Sequence, residues 1–282
     1  YGLGDEYLEE ALSEDEAAER QVLTCQMVPS SDCVIDVPAA AAQCKTALAS
    51  LGATVKAVNL LSDTAIELAI VLDEPLDFLA GQYINIQVPG TPQVRAYSFS
   101  SLPGSREGSF LIRNVPGGLM SQWLTQRASP GDRLTLSSPM GSFYLRSGER
   151  PLLLLAGGTG LAPLLSILQT LAMQRSARPV TLLYGVTRDR DLVKTDALEA
   201  FTGQLPAYRW LPVVADAQSQ CPQRGFVTDH LNDAILNDGD VDIYLCGPPP
   251  MVNAVSTALR ERGISPAGFW YEKFIASQSA AA

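Results

Sequence analysis

Residues 152–163, Leu-Leu-Leu-Leu-Ala-Gly-Gly-Thr-Gly-Leu-Ala-Pro, constrain this chain more than any other stretch. Four leucines and an alanine make an apolar run of strand length, a glycine turn follows, and the spacing predicts a helix opening at Pro163. Proline is tolerated there, because the N–H it lacks would have no partner in a first helical turn. Strand, tight turn and helix N-terminus in succession aim backbone N–H groups and the positive end of the helix dipole at one spot, where a pyrophosphate can sit. Read alone, the motif leaves two accounts open. Gly158-Thr159-Gly160 begins a G-x-G-x-x-G fingerprint, but Pro163 stands at the third glycine, so a plain tight turn fits as well as a dinucleotide site.

The flanking rhythm sharpens the choice. Strands at 151–156, 179–186, 208–214, 241–246 and 268–273 alternate with helices at 162–175, 195–203, 227–236 and 250–262, the pattern of an α/β doubly wound parallel sheet over 148–282. Ligands on such sheets lie beyond the carboxyl ends of the strands, so the loops at 157–160, 187–191, 215–225 and 246–250 should share one crevice. Upstream, 44–147 holds strand-length runs at 53–59, 65–71, 83–88, 95–100, 109–114 and 133–138, separated by Gly and Pro. That predicts a small all-β, antiparallel six-stranded barrel.

Residues 1–40 read as a remnant. Ser13 and Glu16 form a capping box for a short acidic helix, strands are expected at 22–25 and 34–37, and 37–43 is a linker. These pieces are too few to close a core. Residues 1–37 hold ten acidic side chains against Arg20, which accounts for −9 of the net charge of −10. That segment is a solvated face or a docking surface for a basic partner, and the nearly neutral remainder argues against nucleic acid. No apolar run approaches the roughly 18 residues of a membrane span, and no signal-peptide layout opens the chain, so a cytoplasmic protein without membrane contact is expected. The first residue is Tyr, as in a fragment or a processed chain. Cys25, Cys33, Cys44, Cys221 and Cys246 form no C-x-x-C pair and His230 is alone, against zinc, disulfide-scaffold and histidine-triad chemistry. His230 is expected to be a surface or packing residue.

Four further stretches carry candidate chemistry. Arg95-Ala96-Tyr97-Ser98 sends Arg95 and Tyr97 to one face of a strand, where a guanidinium can hold a phosphate and a phenol ring can stack on a flat heterocycle. One buried Tyr beside a surface Arg is the alternative. Gly117-Gly118-Leu119-Met120-Ser121 is a second glycine turn feeding a helix, so two anion sites are expected where one ligand would need only one. Cys246-Gly247-Pro248 ends a strand, with Cys246 expected to face the crevice, either as a small apolar side chain or as a compact polarisable one beside a reacting ring. Glu272 and Phe274 share a face of the last strand, which fits an amphipathic edge strand or a carboxylate and a ring over a flat cofactor.

In this order, the motifs resemble those of the ferredoxin–NADP reductase family, and within it the reductase components of bacterial aromatic-ring dioxygenases of the benzoate and anthranilate type. The likeness spans residues 45–275, and in that family a proline is expected at the position of Pro163. The resemblance implies that the barrel binds FAD, with Arg95 on the pyrophosphate, Tyr97 on the isoalloxazine, Ser98 near its reactive nitrogen, Gly117 to Ser121 holding phosphate and Phe274 near the ring. It implies an NADH site built by Gly157, Gly158, Thr159, Gly160, Leu161, Pro163, Asp189, Gly247 and Pro248, with Cys246 beside the nicotinamide. Ser98, Cys246 and Glu272 would shape the hydride contact. Residues 187–191 offer both acids and arginines, so the choice of NADH over NADPH rests on the resemblance. The family also implies a plant-type [2Fe–2S] ferredoxin unit, of which Cys25 would be an orphaned fourth ligand, with no cluster assembled unless a longer parent supplies the rest. The expected partner is a Rieske-type terminal oxygenase such as benzoate 1,2-dioxygenase. An NADH-linked flavin reductase, the reductase of another monooxygenase, and a dinucleotide-binding module without turnover are the alternatives.

Overall fold

The computed structural model describes residues 50–274 and the backbone of two short strands, β1 (Gly2–Leu3) and β2 (Met27–Val28), which pair antiparallel. The capping box at Ser13, the strands expected at 22–25 and 34–37, the linker at 37–43 and Cys25 lie outside the described residues.

Six strands build the first domain: β3 (Leu51–Ser62), β4 (Ala65–Leu76), β5 (Tyr83–Gln87), β6 (Val94–Ser98), β7 (Ser105–Arg113) and β8 (Arg133–Leu136), with helix α1 (Leu119–Gln126) between the last two. Their order is β6-β5-β8-β3-β4-β7, every pairing is antiparallel, and a bridge from Phe99 to Phe110 draws the two edges together into a barrel. Period-two alternation fills it: Ile66, Leu68, Ile70 and Leu72 from β4 meet Ile84 and Ile86 from β5, and Trp123 of α1 packs in from outside. The strands β3 and β4 run to twelve residues each, longer than the sequence pattern suggests. Register shifts between Val55 and Ala57 and between Leu60 and Ser62 bend this long pair.

The second domain is a five-stranded parallel sheet of β9 (Leu152–Gly157), β10 (Val180–Val186), β11 (Tyr208–Val214), β12 (Asp242–Gly247) and β13 (Gly268–Lys273), in the order β11-β10-β9-β12-β13. Helices α2 (Leu161–Met173) and α3 (Thr195–Ala200) cover one face, and α4 (Asp233–Leu236) and α5 (Pro249–Glu261) cover the other. Leu152 and Leu154 therefore pack against α2 while Leu153 and Leu155 pack against α5, which is why the leucine run shows no alternation. The chain reverses its direction of travel between β9 and β12, the switch point at which a crevice opens.

Three boundaries differ from expectation. The helix α2 begins at Leu161 after a single 3₁₀ turn at Gly158–Gly160, so Pro163 is its third residue; the N–H it lacks still has no helical partner there. The helix expected over 227–236 is a 3₁₀ turn at Val227–His230 and then α4, because the Asn232 side chain accepts from Ile235 N and restarts the helix. The one expected over 195–203 ends as 3₁₀ at Phe201–Gly203.

The domains share apolar packing. Ala65, Leu111 and Phe143 belong to the same cluster as Leu154, Leu161 and Leu165, and Gln169 of α2 donates to the Ser100 carbonyl at 2.8 Å. The connector between them is pinned by Arg178, which donates to the carbonyls of Arg146 and Arg150 and to Asp242 Oδ2 at 2.6 Å. Both side chains of that ion pair are about one-twentieth exposed. Removing either one strands a buried charge, so Arg178→Met or Asp242→Asn is expected to cost about 3–5 kcal/mol in urea unfolding. A loss below about 1 kcal/mol would show that the connector does not depend on the pair.

Candidate active site

One cavity of about 910 Å³ lies between the barrel and the carboxyl end of the parallel sheet. All four loops expected to converge contribute to it: Gly157 to Thr159, Thr187 with Asp191, Ala215 with Gly225, and Pro248 with Pro250. From the barrel come Arg95, Tyr97 and Ser98 on β6, and Gly118 to Ser121 at the start of α1. Glu272 and Phe274 complete it at the end of β13.

Local structure explains these positions. The first-turn N–H groups of α1, at Leu119, Met120 and Ser121, have no carbonyl to meet within the helix, and these three residues line the cavity. The Ser121 hydroxyl instead holds the turn that delivers the helix, accepting from Val115 N at 2.9 Å and donating to the Arg113 carbonyl at 3.3 Å. Gly118 keeps that turn tight, since a Cβ there would sit 3.1 Å from the Val115 carbonyl oxygen. The Arg95 guanidinium lies along its own strand, donating to the Val94 carbonyl and to Gln93 Oε1 at 2.8 Å each. Beside it, burial pushes the Tyr97 phenol upward and the Arg95 charge opposes this, so the ring stays neutral.

At the sheet end, β9, β10 and β12 carry glycines at neighbouring positions, Gly157, Gly185 and Gly247. A Cβ on Gly157 would lie 2.5 Å from the Met251 sulfur, and one on Gly160 would collide with the Cys246 carbonyl, so the turn and the start of α2 hug β12.

Ser98 and Glu272 join the two domains across the cavity, the hydroxyl donating to Glu272 Oε2 at 3.2 Å. Burial pushes the Glu272 carboxyl up to about 7, and the Ser98 hydrogen bond opposes the shift. Cys246 is the strand partner of Glu272. Its side chain is fully buried in the core behind the cavity rather than facing it, because β12 is an inner strand covered by α2. Burial raises the thiol well above its ordinary range, with the Glu272 charge adding to it, so Cys246 is a neutral thiol.

Several other expected residues stand back from the wall. Gly160, Leu161 and Pro163 lie within the turn and α2, Gly247 packs against Met251, and Gly117 serves the turn with φ +75°. Asp189 is exposed and accepts the Ser219 hydroxyl at 2.6 Å; the acid in the wall is Asp191, two residues on, brought inward by the 3₁₀ turn Asp189–Asp191. Tyr83 lines the cavity without having been singled out in the sequence, and Met251, which ends the stretch that begins at Cys246, lines it too. Tyr83 is the cross-strand partner of Ser98, and Gly141 leaves room for its ring, so the pairing of β5 with β6 was the signal that would have found it.

The Oxidoreductase FAD-binding domain model matches residues 53–144, and the Oxidoreductase NAD-binding domain model matches 154–257. The toluate 1,2-dioxygenase electron transfer component of Pseudomonas putida is 55% identical over 98% of this chain and 83% of its own length. This chain belongs to that family of FAD- and NAD-binding oxidoreductases. Other members are the 2-halobenzoate 1,2-dioxygenase electron transfer component of Burkholderia cepacia, 44% identical over 96% of this chain and 81% of its own, and the anthranilate 1,2-dioxygenase component of Acinetobacter baylyi, 37% identical over 98% and 82%. Among solved structures, an Amycolatopsis cytochrome P450 reductase superposes with a TM-score of 0.79 at 32% identity, covering 97% of this chain and 84% of that one. The wall residues fit the family's flavin: a bare glycine turn, the N-terminal turn of α1, a guanidinium and a neutral phenol ring all line one cavity.

The Glu272 shift predicts a pH dependence. With a carboxyl raised from 4.5 to about 7, the folded oxidoreductase holds a proton that the unfolded chain releases, so stability falls as pH rises across that window. Glu272→Gln should remove this part of the slope, at most about 3 kcal/mol. Equal changes in urea midpoint between pH 5 and pH 7.5 for both proteins would place the proton elsewhere.

Proposed function

We propose that this chain is the NADH-oxidising reductase of an aromatic-ring dioxygenase, taking a hydride onto FAD in the cavity between its domains and passing electrons singly to a Rieske-type terminal oxygenase. The observation that carries it is the Ser98–Glu272 hydrogen bond, which ties the FAD-binding domain to the NAD-binding domain at the wall of the cavity. The names of relatives at 55%, 44% and 37% identity supply the oxygenase partner and the aromatic acid class. Among the described residues no helix is long and apolar enough to cross a membrane. The domain limits of 44–147 and 148–282 belong to this reading.

Bound FAD supplies the redox chemistry, accepting two electrons as hydride and releasing them one at a time. The protein's residues do the rest. Arg95 and the first turn of α1 hold pyrophosphate charge, and Tyr97 offers a neutral aromatic face. Gly157 to Thr159 give the nucleotide a close backbone approach, and Phe274 closes the far side. Ser98 keeps its hydroxyl oriented by Glu272, whose carboxyl near neutrality can hold or release one proton through that bond. Cys246 acts from behind, a compact thiol that fixes where Glu272 sits. In this reading Cys25 is the fourth ligand of a [2Fe–2S] centre whose other ligands come from a longer parent. The P450 reductase superposition supports a second acceptor class, a monooxygenase served by the same hydride chemistry.

An anaerobic spectrum of the FAD-reconstituted chain tests the proposal. NADH should bleach the flavin band and NADPH should not; no bleaching by either would leave a binding module without turnover. Ser98→Ala and Cys246→Ala should slow bleaching about tenfold, roughly 1.4 kcal/mol of barrier, with FAD retained. Unchanged rates in both would remove them from the mechanism.

A further inference from the structure

Three polar contacts join the turn between β3 and β4 and the start of β4 to the segment that follows β10, and they run in step. Arg190 Nη1 lies 3.3 Å from Asp63 Oδ2, the Thr64 hydroxyl donates to Asp191 Oδ1 at 2.8 Å, and Lys194 Nζ lies 2.5 Å from Glu67 Oε1. Each partner follows the other by 127 positions, so the two segments lie side by side in one register. Apolar groups fill the gaps: Ala65 and Val193 are buried in the cluster the domains share, and Leu61 and Leu192 pack against it. Both sides are fixed locally, Thr64 by the Ser62 hydroxyl and Asp191 by the Arg188 N–H. Lys194 reaches Glu67 from a left-handed backbone, φ +59°, which a lysine rarely adopts and which its surroundings must sustain. Their side chains are 27% and 16% exposed, against 59% and 70% for Arg190 and Asp63, so the innermost rung is the one best shielded from salt.

Thr64, Ala65 and Asp191 also belong to the cavity wall. A wall built from both domains keeps its shape only while the domains keep their spacing. We propose that this three-rung seam positions the domains for hydride transfer, with Glu67, Lys194, Thr64 and Asp191 as positioning residues that touch neither reacting ring. The inference rests on the reading of the cavity as the place where nicotinamide and flavin meet. A misplacement of about 1 Å between reacting groups can cost on the order of a hundredfold in rate, so a loosened seam should appear in the chemical step rather than in nucleotide affinity.

The test uses the full chain reconstituted with FAD, in stopped-flow bleaching by NADH. Glu67→Gln and Lys194→Met should each slow the rate at saturating NADH at least fivefold, move half-saturation less than twofold and keep FAD bound. The exchanged pair Glu67→Lys with Lys194→Glu should return to within twofold of the parent. Asp63→Asn, on the exposed rung, should act in the same direction more weakly. Hydrogen–deuterium exchange, which needs no nucleotide, should rise together over 62–68 and 187–195 in each single variant and fall back in the exchanged pair. Parental rates in both single variants, an exchanged pair that stays slow, or exchange that rises on one segment alone would overturn the seam. Should the parent itself not bleach with NADH, the functional reading fails, and the exchange data decide separately whether the seam couples the domains.

Discussion

The two domains of this oxidoreductase are held together where the core beneath α2 extends onto the barrel. Ala65 and Leu111 sit on the outer face of barrel strands and would be wet in an isolated barrel; here they pack with Leu161 and Leu165 of α2, and Phe143 of the connector completes the contact. Apolar burial has no direction, so it brings the domains together without fixing their angle. Direction comes from polar groups at the margin: Gln169 on the Ser100 carbonyl, Arg178 on the connector, and Ser98 on Glu272. The cavity opens beyond the sheet's carboxyl end, where Ser98 of the barrel and Glu272 of the sheet face each other.

In and directly behind that cavity, burial governs protonation. Glu272, Tyr97 and Cys246 are all shifted toward their uncharged forms, and in each case desolvation is the largest cause. A Glu272 carboxyl that keeps its proton adds no negative charge beside the rings. Arg95, Arg113 and Lys273 are the cations of the cavity wall.

Much of this was legible in the sequence. The leucine run, the glycine turns and the strand–helix rhythm located the elements within a few residues, because backbone N–H geometry and side-chain periodicity are local. Arg95, Tyr97, Ser98, Glu272 and Phe274 were legible for the same reason: each ends or lies on a strand whose face is set by alternation. What escaped depended on contacts distant in the chain. Cys246 was expected to face the crevice, but α2 folding back over β12 buries it. Asp189 and Asp191 are interchangeable by sequence, and only the short 3₁₀ turn between them decides which one turns inward. Tyr83 acquires its place from strand pairing with Ser98, and Pro163 its place inside α2 from the extra turn before it.

The row of glycines at the end of the sheet has a consequence for how such a protein can change over generations. Gly157, Gly185 and Gly247 leave a strip of bare backbone, and crowding by Met251 and Val227 leaves little room for a side chain at any of them. Backbone without side chains carries few distinguishing groups, so the strip holds no record of which nucleotide or which electron acceptor the protein serves. Those choices are written in the loops around it, where residues can be exchanged without disturbing the sheet. The strip is thus the part that admits little substitution, and the loops are the part that can be changed without disturbing it.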